Sequence, residues 1–255
     1  VTGELVHLDV DGVIGVITLD SPHNRNALSA RLVAELSDRL DQAAADDAVR
    51  AILLRSAGPV FCSGADLTEA AEVEPGARAL ARVLRAMVSA RKPVVAKVAG
   101  PVRAGGVGLV AAADIALVAD TVTFAFPEVR LGLCPAVISL TTLPRMEPRA
   151  AARYFLTGEE FSAAEAARIG LITQAVPAEE LDAVTDRVLD RLRQAAPKAL
   201  ERTKELLTRA ERAVIDDLSE HLVSLTAELF ASAEGREGIR AFLERRPPAW
   251  ARQGG

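Results

Sequence analysis

Short apolar runs that lead into a glycine-bearing turn and then a helical pattern recur along this chain at intervals of roughly 40 residues, an alternation that points to an α/β architecture. Ala51–Ser56 is a nearly continuous apolar run, as expected of a strand buried on both faces. It leads into Phe61-Cys62-Ser63-Gly64-Ala65-Asp66-Leu67, a loop-like stretch over 68–77 and a helical pattern over 77–91. Pro93–Val98 is the next run. It leads into Arg103-Ala104-Gly105-Gly106-Val107-Gly108, with Gly105-Gly106 opening a short helix to Ala113. Ile115–Val118 and Thr121–Phe126 read as further strands. Upstream, Leu5, His7 and Asp9 alternate with Val6, Leu8 and Val10, and Asp11-Gly12 offers a hairpin turn into Val13–Leu19. Ser29 suits the N-cap of a helix to Ala45 with Leu32, Val33, Leu36 and Leu40 on one face. After residue 145 the pattern becomes helical. Pro148 and Gly158 bracket one helix, Ser162 and Gly170 another, and long amphipathic patterns follow over 178–195, 197–231 and 234–246. The expected organisation is a core over 1–195 and a C-terminal helical region over 196–255 that covers a site or packs on a neighbouring subunit.

The chain has 255 residues, half of them hydrophobic, enough for one large core. Its formal charge of −5 gives no global reason to bind nucleic acid. Cys62 and Cys134 lack zinc or CxxC spacing and read as two reduced thiols. No His/Asp/Glu cluster has metal-ligand spacing, so no metal is expected. Charged residues or glycine interrupt every apolar run short of a membrane span, and the N-terminus lacks a secretion signal. A soluble cytoplasmic protein is expected, with no membrane partner.

The two glycine segments carry the chemistry. Each follows an apolar run, and together they could supply two backbone N–H donors, that of Ala65 from the first, to one developing oxyanion. Taken singly, the first is also compatible with an ordinary turn capped by Asp66, and the second with a turn that serves packing. A dinucleotide fingerprint fails on spacing, because G-x-G-x-x-G is not matched. Glu128 follows Phe124-Ala125-Phe126-Pro127, and such neighbours would desolvate a general acid/base, although a solvated loop carboxylate fits the same string. None of His7, His23 and His221 lies near a nucleophile elbow, since the chain has none.

In their order and spacing these segments resemble the crotonase family, the enoyl-CoA hydratase/isomerase superfamily. Pro22-His23-Asn24-Arg25-Asn26-Ala27-Leu28 is similar to its N-terminal segment, Phe61–Leu67 to its first oxyanion segment, and Lys92–Ala96 with Gly100 to the strand before the second. Pro127–Leu133 with Pro135 resembles its catalytic-carboxylate segment, Leu156–Leu171 a common helical stretch, and Glu237–Phe242 the C-terminal helix. The resemblance implies a spiral of ββα units and a homotrimer or dimer of trimers in fatty acid metabolism. The substrate would be an acyl-CoA thioester, with no other cofactor, and its carbonyl oxygen would lie between the N–H groups of Ala65 and Gly105. Glu128 would move the proton. Arg25, Ala27, Leu28, Ser63, Asp66, Leu67, Gly108 and Pro135 would line the substrate and coenzyme A site, with 68–76 and 137–143 along the acyl chain. Hydratases of the family carry two glutamates. Gly108 stands at the position of the first, which implies isomerase-like or weak hydratase activity. Decarboxylation of a carboxyacyl-CoA, with Arg103 on the leaving carboxylate, and a non-catalytic acyl-CoA binder are the alternatives.

Overall fold

The computed structural model describes residues 3–252, the side chains of 70–72 and 252 excepted. Its elements in chain order are β1 (Val6–Asp11), β2 (Ile14–Leu19), α1 (Ala30–Ala45), β3 (Ala51–Ser56), α2 (Val73–Ser89), β4 (Val94–Val98), β5 (Val102–Arg103), α3 (Gly105–Ala112), β6 (Ile115–Ala119), β7 (Thr123–Ala125), α4 (Ser139–Thr142), α5 (Pro148–Thr157), β8 (Phe161–Ser162), α6 (Ala163–Arg168), β9 (Gln174–Val176), α7 (Leu181–Gln194), α8 (Pro197–Ala231) and α9 (Ala233–Leu243).

Six strands form one sheet in the order β1-β2-β3-β4-β6-β9, and three form a smaller one, β5-β7-β8. Only the β1–β2 hairpin of the large sheet is antiparallel; every later pairing in it is parallel. Its strand order follows chain order throughout, so the chain winds in one direction. Successive turns leave one strand in the large sheet and a short one in the small sheet: β4 then β5, β6 then β7. The turn after β3 adds only a bridge, Cys62 to Val102. This winding is the expected spiral of ββα units.

Burial explains the large sheet. Every residue of β2 is buried, as are the first four of β3, because helices cover these parallel strands. Leu32, Leu36 and Leu40 of α1 are buried at four-residue spacing, and Ser29 Oγ caps the helix by accepting the Leu32 N–H at 3.2 Å. Pro148 opens α5 and Gly158, at φ 61°, closes it.

Three readings of the sequence need correction. The helix expected over 77–91 begins at Val73, with Pro75 and Gly76 in its first turn, where proline displaces no intrahelical bond. The stretch after residue 145 is not all helix, because β8 pairs with β7, and β9 extends the large sheet beside β6. The strand expected over 121–126 shrinks to β7.

The 35-residue α8 buries charge along its inner stripe: Lys204, Thr208, Glu211 and then Ile215. Lys204, 4% exposed, donates to Met87 O at 2.8 Å and pairs with Asp114 at 2.7 Å. Asp114 in turn accepts the Val94 N–H at 2.7 Å. Glu211 pairs with Arg145 at 3.2 Å, and its other oxygen is buried without a partner. Desolvation holds the Lys204 ammonium below its ordinary pKa despite Asp114, and pushes the Glu211 carboxyl up. Lys204 thereby fastens α8 to α2 and, through Asp114, to the start of β4, and Glu211 fastens it to the segment after α4. Among the described residues, no helix is long and apolar enough to cross a membrane, and no His/Cys/Asp/Glu group could hold a metal ion.

Candidate active site

Three segments distant in sequence form the rim of one cavity of about 830 Å³. The first is the loop 21–28. Arg25 and Asn26 both adopt left-handed backbone, at φ 58° and 55°. The buried Asn26 side chain secures the loop: Oδ1 accepts the Ser21 N–H at 2.7 Å, and Nδ2 donates to Val60 O at 2.9 Å. The second segment, 62–67, docks on the first through Leu28 N–H to Gly64 O at 2.8 Å, Ser63 N–H to Arg25 O at 3.2 Å and Ser63 Oγ to Asn24 O at 3.1 Å. The third, 102–105, joins the second through Arg103 N–H to Cys62 O at 3.0 Å.

Glycine is required at position 64, and at position 105 a side chain would displace the tip of Leu28. Gly64 has φ +96°, and a Cβ there would lie 2.9 Å from the Cβ of Ala104; a Cβ on Gly105 would lie 2.5 Å from Leu28 Cδ1. Gly105 is the first residue of α3, so its N–H has no intrahelical acceptor. Among the described residues neither the Ala65 nor the Gly105 N–H has a hydrogen-bond partner, and both residues line the cavity.

Ala104, between the strand and this helix, has φ 48° and ψ −120°, a region that disfavours a side chain. Replacing Ala104 by Gly therefore relieves strain of about 1–3 kcal/mol, less the added freedom of the unfolded chain, about 0.4–1 kcal/mol. The urea midpoint is expected to rise at constant slope by the equivalent of about 1 kcal/mol. A fall of that size would show that Ala104 carries no strain.

Glu128 sits in a 3₁₀ turn, Pro127–Leu131, that begins two residues after β7 and ends at Gly132 in left-handed conformation. An aromatic cluster backs this turn: Phe126 packs on Phe155 at 4.4 Å between ring centres, and Phe161 stacks on Tyr154 at 4.1 Å. Glu128 Oε2 is sealed from solvent and has no partner. Desolvation pushes the carboxyl up from 4.5 to about 7, against a small opposing effect from its own backbone N–H. A carboxyl in this condition changes protonation near neutral pH, which suits proton transfer.

Of the residues expected at the site, Arg25, Ala27, Leu28, Ser63, Ala65, Asp66, Leu67, Gly105, Glu128 and Pro135 all line the cavity. Burial opposes ionisation of Asp66, but hydrogen bonds from Thr68 and Asn24 outweigh it and hold the carboxyl below its usual range. Gly108 is fully buried, not on the cavity surface, and lies behind Ile138. Within the two stretches expected along an acyl chain, Thr68, Glu69, Val73, Gly76, Val137 and Ile138 reach the cavity. Residues 139–142 form α4 instead, with Leu140–Thr142 buried. Sequence reading named neither Leu80 nor the C-terminal residues that line the cavity, Thr226 and Phe230 of α8 with Phe242 and Leu243 of α9. Phe242 and Leu243, both about half exposed, were the available signal, as large apolar side chains on a C-terminal helix.

Arg103 lines the cavity margin, but its guanidinium donates to Val102 O at 3.0 Å, Thr123 O at 2.7 Å and Thr123 Oγ1 at 2.9 Å and pairs with Glu160 at 2.9 Å. It clamps β5 to β7. Cys62 is fully buried, which pushes its thiol up to about 12 and keeps it neutral.

Known proteins share this fold. The profile described as enoyl-CoA hydratase/isomerase matches residues 9–253. A crystal structure of an enoyl-CoA hydratase from Mycobacterium avium is 45% identical, with a TM-score of 0.91 over 98% of this chain and 100% of that one. The human enoyl-CoA hydratase domain-containing protein 3, mitochondrial, is 34% identical over 96% of this chain and 82% of its own length. Methylmalonyl-CoA decarboxylase in complex with 2-nitronate-propionyl-CoA is 25% identical, with a TM-score of 0.83 over 96% of this chain and 97% of the other.

Proposed function

The chain belongs to the enoyl-CoA hydratase/isomerase family, and from that premise we propose that it binds an acyl-CoA thioester and stabilises its enolate, with Glu128 as the single acid/base. The observation that carries this reading is the shared cavity. The free N–H groups of Ala65 and Gly105 and the desolvated, unpartnered carboxyl of Glu128 all belong to it. An enolate oxygen held by the two N–H groups would gain about 3 kcal/mol from each, because the donors are fixed before charge develops.

One carboxylate is enough for isomerisation of a 3-enoyl thioester. Glu128 removes a proton from C2, the electron pair spreads onto the thioester oxygen, and the double bond moves from C3–C4 to C2–C3 as the proton is returned at C4. Water addition by Glu128 alone would be slow. The test is purified protein with a 3-enoyl-CoA and, separately, crotonyl-CoA, read by conjugated-enone absorbance. Appearance of conjugation from the first, faster than its loss from the second, is expected. Silence with both, despite tight thioester binding, would replace the reading by a non-catalytic acyl-CoA binder.

The likeness to methylmalonyl-CoA decarboxylase favours a second reading, loss of carbon dioxide from a carboxyacyl-CoA to give the same enolate. In this version Arg103 would have to leave Thr123 and Glu160 to meet a carboxylate. Arg103→Ala then lowers turnover of a malonyl-type thioester at least tenfold more than that of a 3-enoyl thioester. Equal losses would mark Arg103 as a clamp and remove the reason for this version. We also infer self-association into trimers, for which Leu206, Leu207, Val214 and Leu218 give α8 an exposed apolar face. A monomer in sedimentation at micromolar concentration would rule that out.

A further inference from the structure

Gly108 lies one turn beyond Gly105 on the same side of α3. A Cβ placed on it would meet Ile138 Cγ2 at 2.7 Å and Ile138 Cβ at 3.0 Å. Ile138, 3% exposed, lines the cavity that Gly108 does not reach. The volume that a side chain at 108 would occupy is therefore filled by an isoleucine from the start of α4. The Gly108 carbonyl is not available either, because it accepts Thr141 Oγ1 at 3.0 Å. Leu133, Pro135, Ala136 and Val137 continue this wall in carbon. On the 127–138 side of the cavity the ionisable side chains are Glu128, Arg130 and Cys134. Arg130 is exposed and donates to Thr157 O at 3.0 Å, and burial pushes the Cys134 thiol up so that it stays neutral. A water held for reaction needs two to four polar partners; this wall offers Glu128 and a weakly bonding thiol.

Resting on the acyl-CoA reading above, we propose that Ile138 is the specificity-determining residue of this site. By filling the space of a side chain at 108, it denies Glu128 a positioned water. The site then takes thioesters that react by moving a proton between carbons, 3-enoyl thioesters above all, rather than 2-enoyl thioesters that react by adding water.

The experiment compares wild type with Ile138→Ala and Ile138→Thr, the second keeping the β-branch while shortening the side chain and adding a hydroxyl partner for water. The readout is the ratio of crotonyl-CoA hydration to 3-enoyl-CoA isomerisation, with thermal unfolding as the control for folding. Both variants are expected to raise this ratio at least tenfold. Gly108→Glu is expected to raise it only in combination with Ile138→Ala. Calorimetry supplies a readout without turnover: wild type discriminates against 3-hydroxybutyryl-CoA relative to crotonyl-CoA, and Ile138→Thr narrows the gap. A folded Ile138→Thr with unchanged ratio and unchanged relative affinities overturns the proposal, as does a wild type that hydrates faster than it isomerises. A protein that binds no acyl-CoA at all overturns the acyl-CoA reading itself, and this inference with it.

Discussion

Glu128→Gln lowers turnover by about 10²- to 10⁴-fold, the range for loss of a positioned acid/base, and at alkaline pH makes the protein harder to unfold. Both effects come from one desolvated carboxyl. Its folded-state pKa is raised from 4.5 to about 7, so between these values the folded protein binds more protons than the unfolded chain. Stability contributed at this site therefore falls as pH rises through that window. Below 4.5 the group costs nothing, and above 7 the full cost of ionising it in place is present, on the order of 3 kcal/mol. Glutamine stays neutral, so the variant gains up to that amount at pH 8 and almost nothing at pH 4. Urea unfolding at the two pH values reads the difference. In wild type, kcat/KM is expected to rise with pH up to a plateau above about 7 as the base form appears. Full activity in Glu128→Gln, or a stability gain equal at both pH values, would refute the assignment.

Lys204→Met destabilises the fold by about 3–5 kcal/mol, the cost of breaking a buried ion pair from one side. The substitution fills similar space but leaves Asp114 with only the Val94 N–H and removes the donors to Met87 O and Lys92 O. Because much of that cost is the stranded charge, Lys204→Met with Asp114→Asn recovers a substantial part of it. A single variant that loses under 1 kcal/mol by urea unfolding would mean that α8 is held by its apolar contacts alone.

Much of this molecule was legible in its sequence where pattern and local chemistry agree. β3 falls on its expected residues because six apolar-rich positions in a parallel sheet need no partner to be recognised. Both ends of α5 follow from Pro148 and Gly158. Glu128 was legible as a carboxylate after an aromatic run, although the sealing of its Oε2 depends on the fold. What escaped has a tertiary origin. β8 and β9 have two and three residues and exist by pairing with β7 and β6. Arg103 offered no clue to whether its guanidinium met a ligand, since Thr123 and Glu160 reach it only through the small sheet. The inner stripe of α8 read as amphipathic, but no periodicity assigns Lys204 and Glu211 to the buried side. The contact between Gly108 and Ile138 joins residues 30 positions apart and left no mark on either segment.

The one-way winding of the large sheet has a consequence for biosynthesis. A chain leaving the ribosome N-terminus first can lay each strand against its predecessor without waiting for a distant partner until the sheet is complete. The segments that carry the N–H pair and Glu128 have all been synthesised by residue 128, while Thr226, Phe230, Phe242 and Leu243 emerge about a hundred residues later. Until α8 and α9 have been made, the cavity lacks the four lining residues they contribute, so the finished site waits on the last part of the chain.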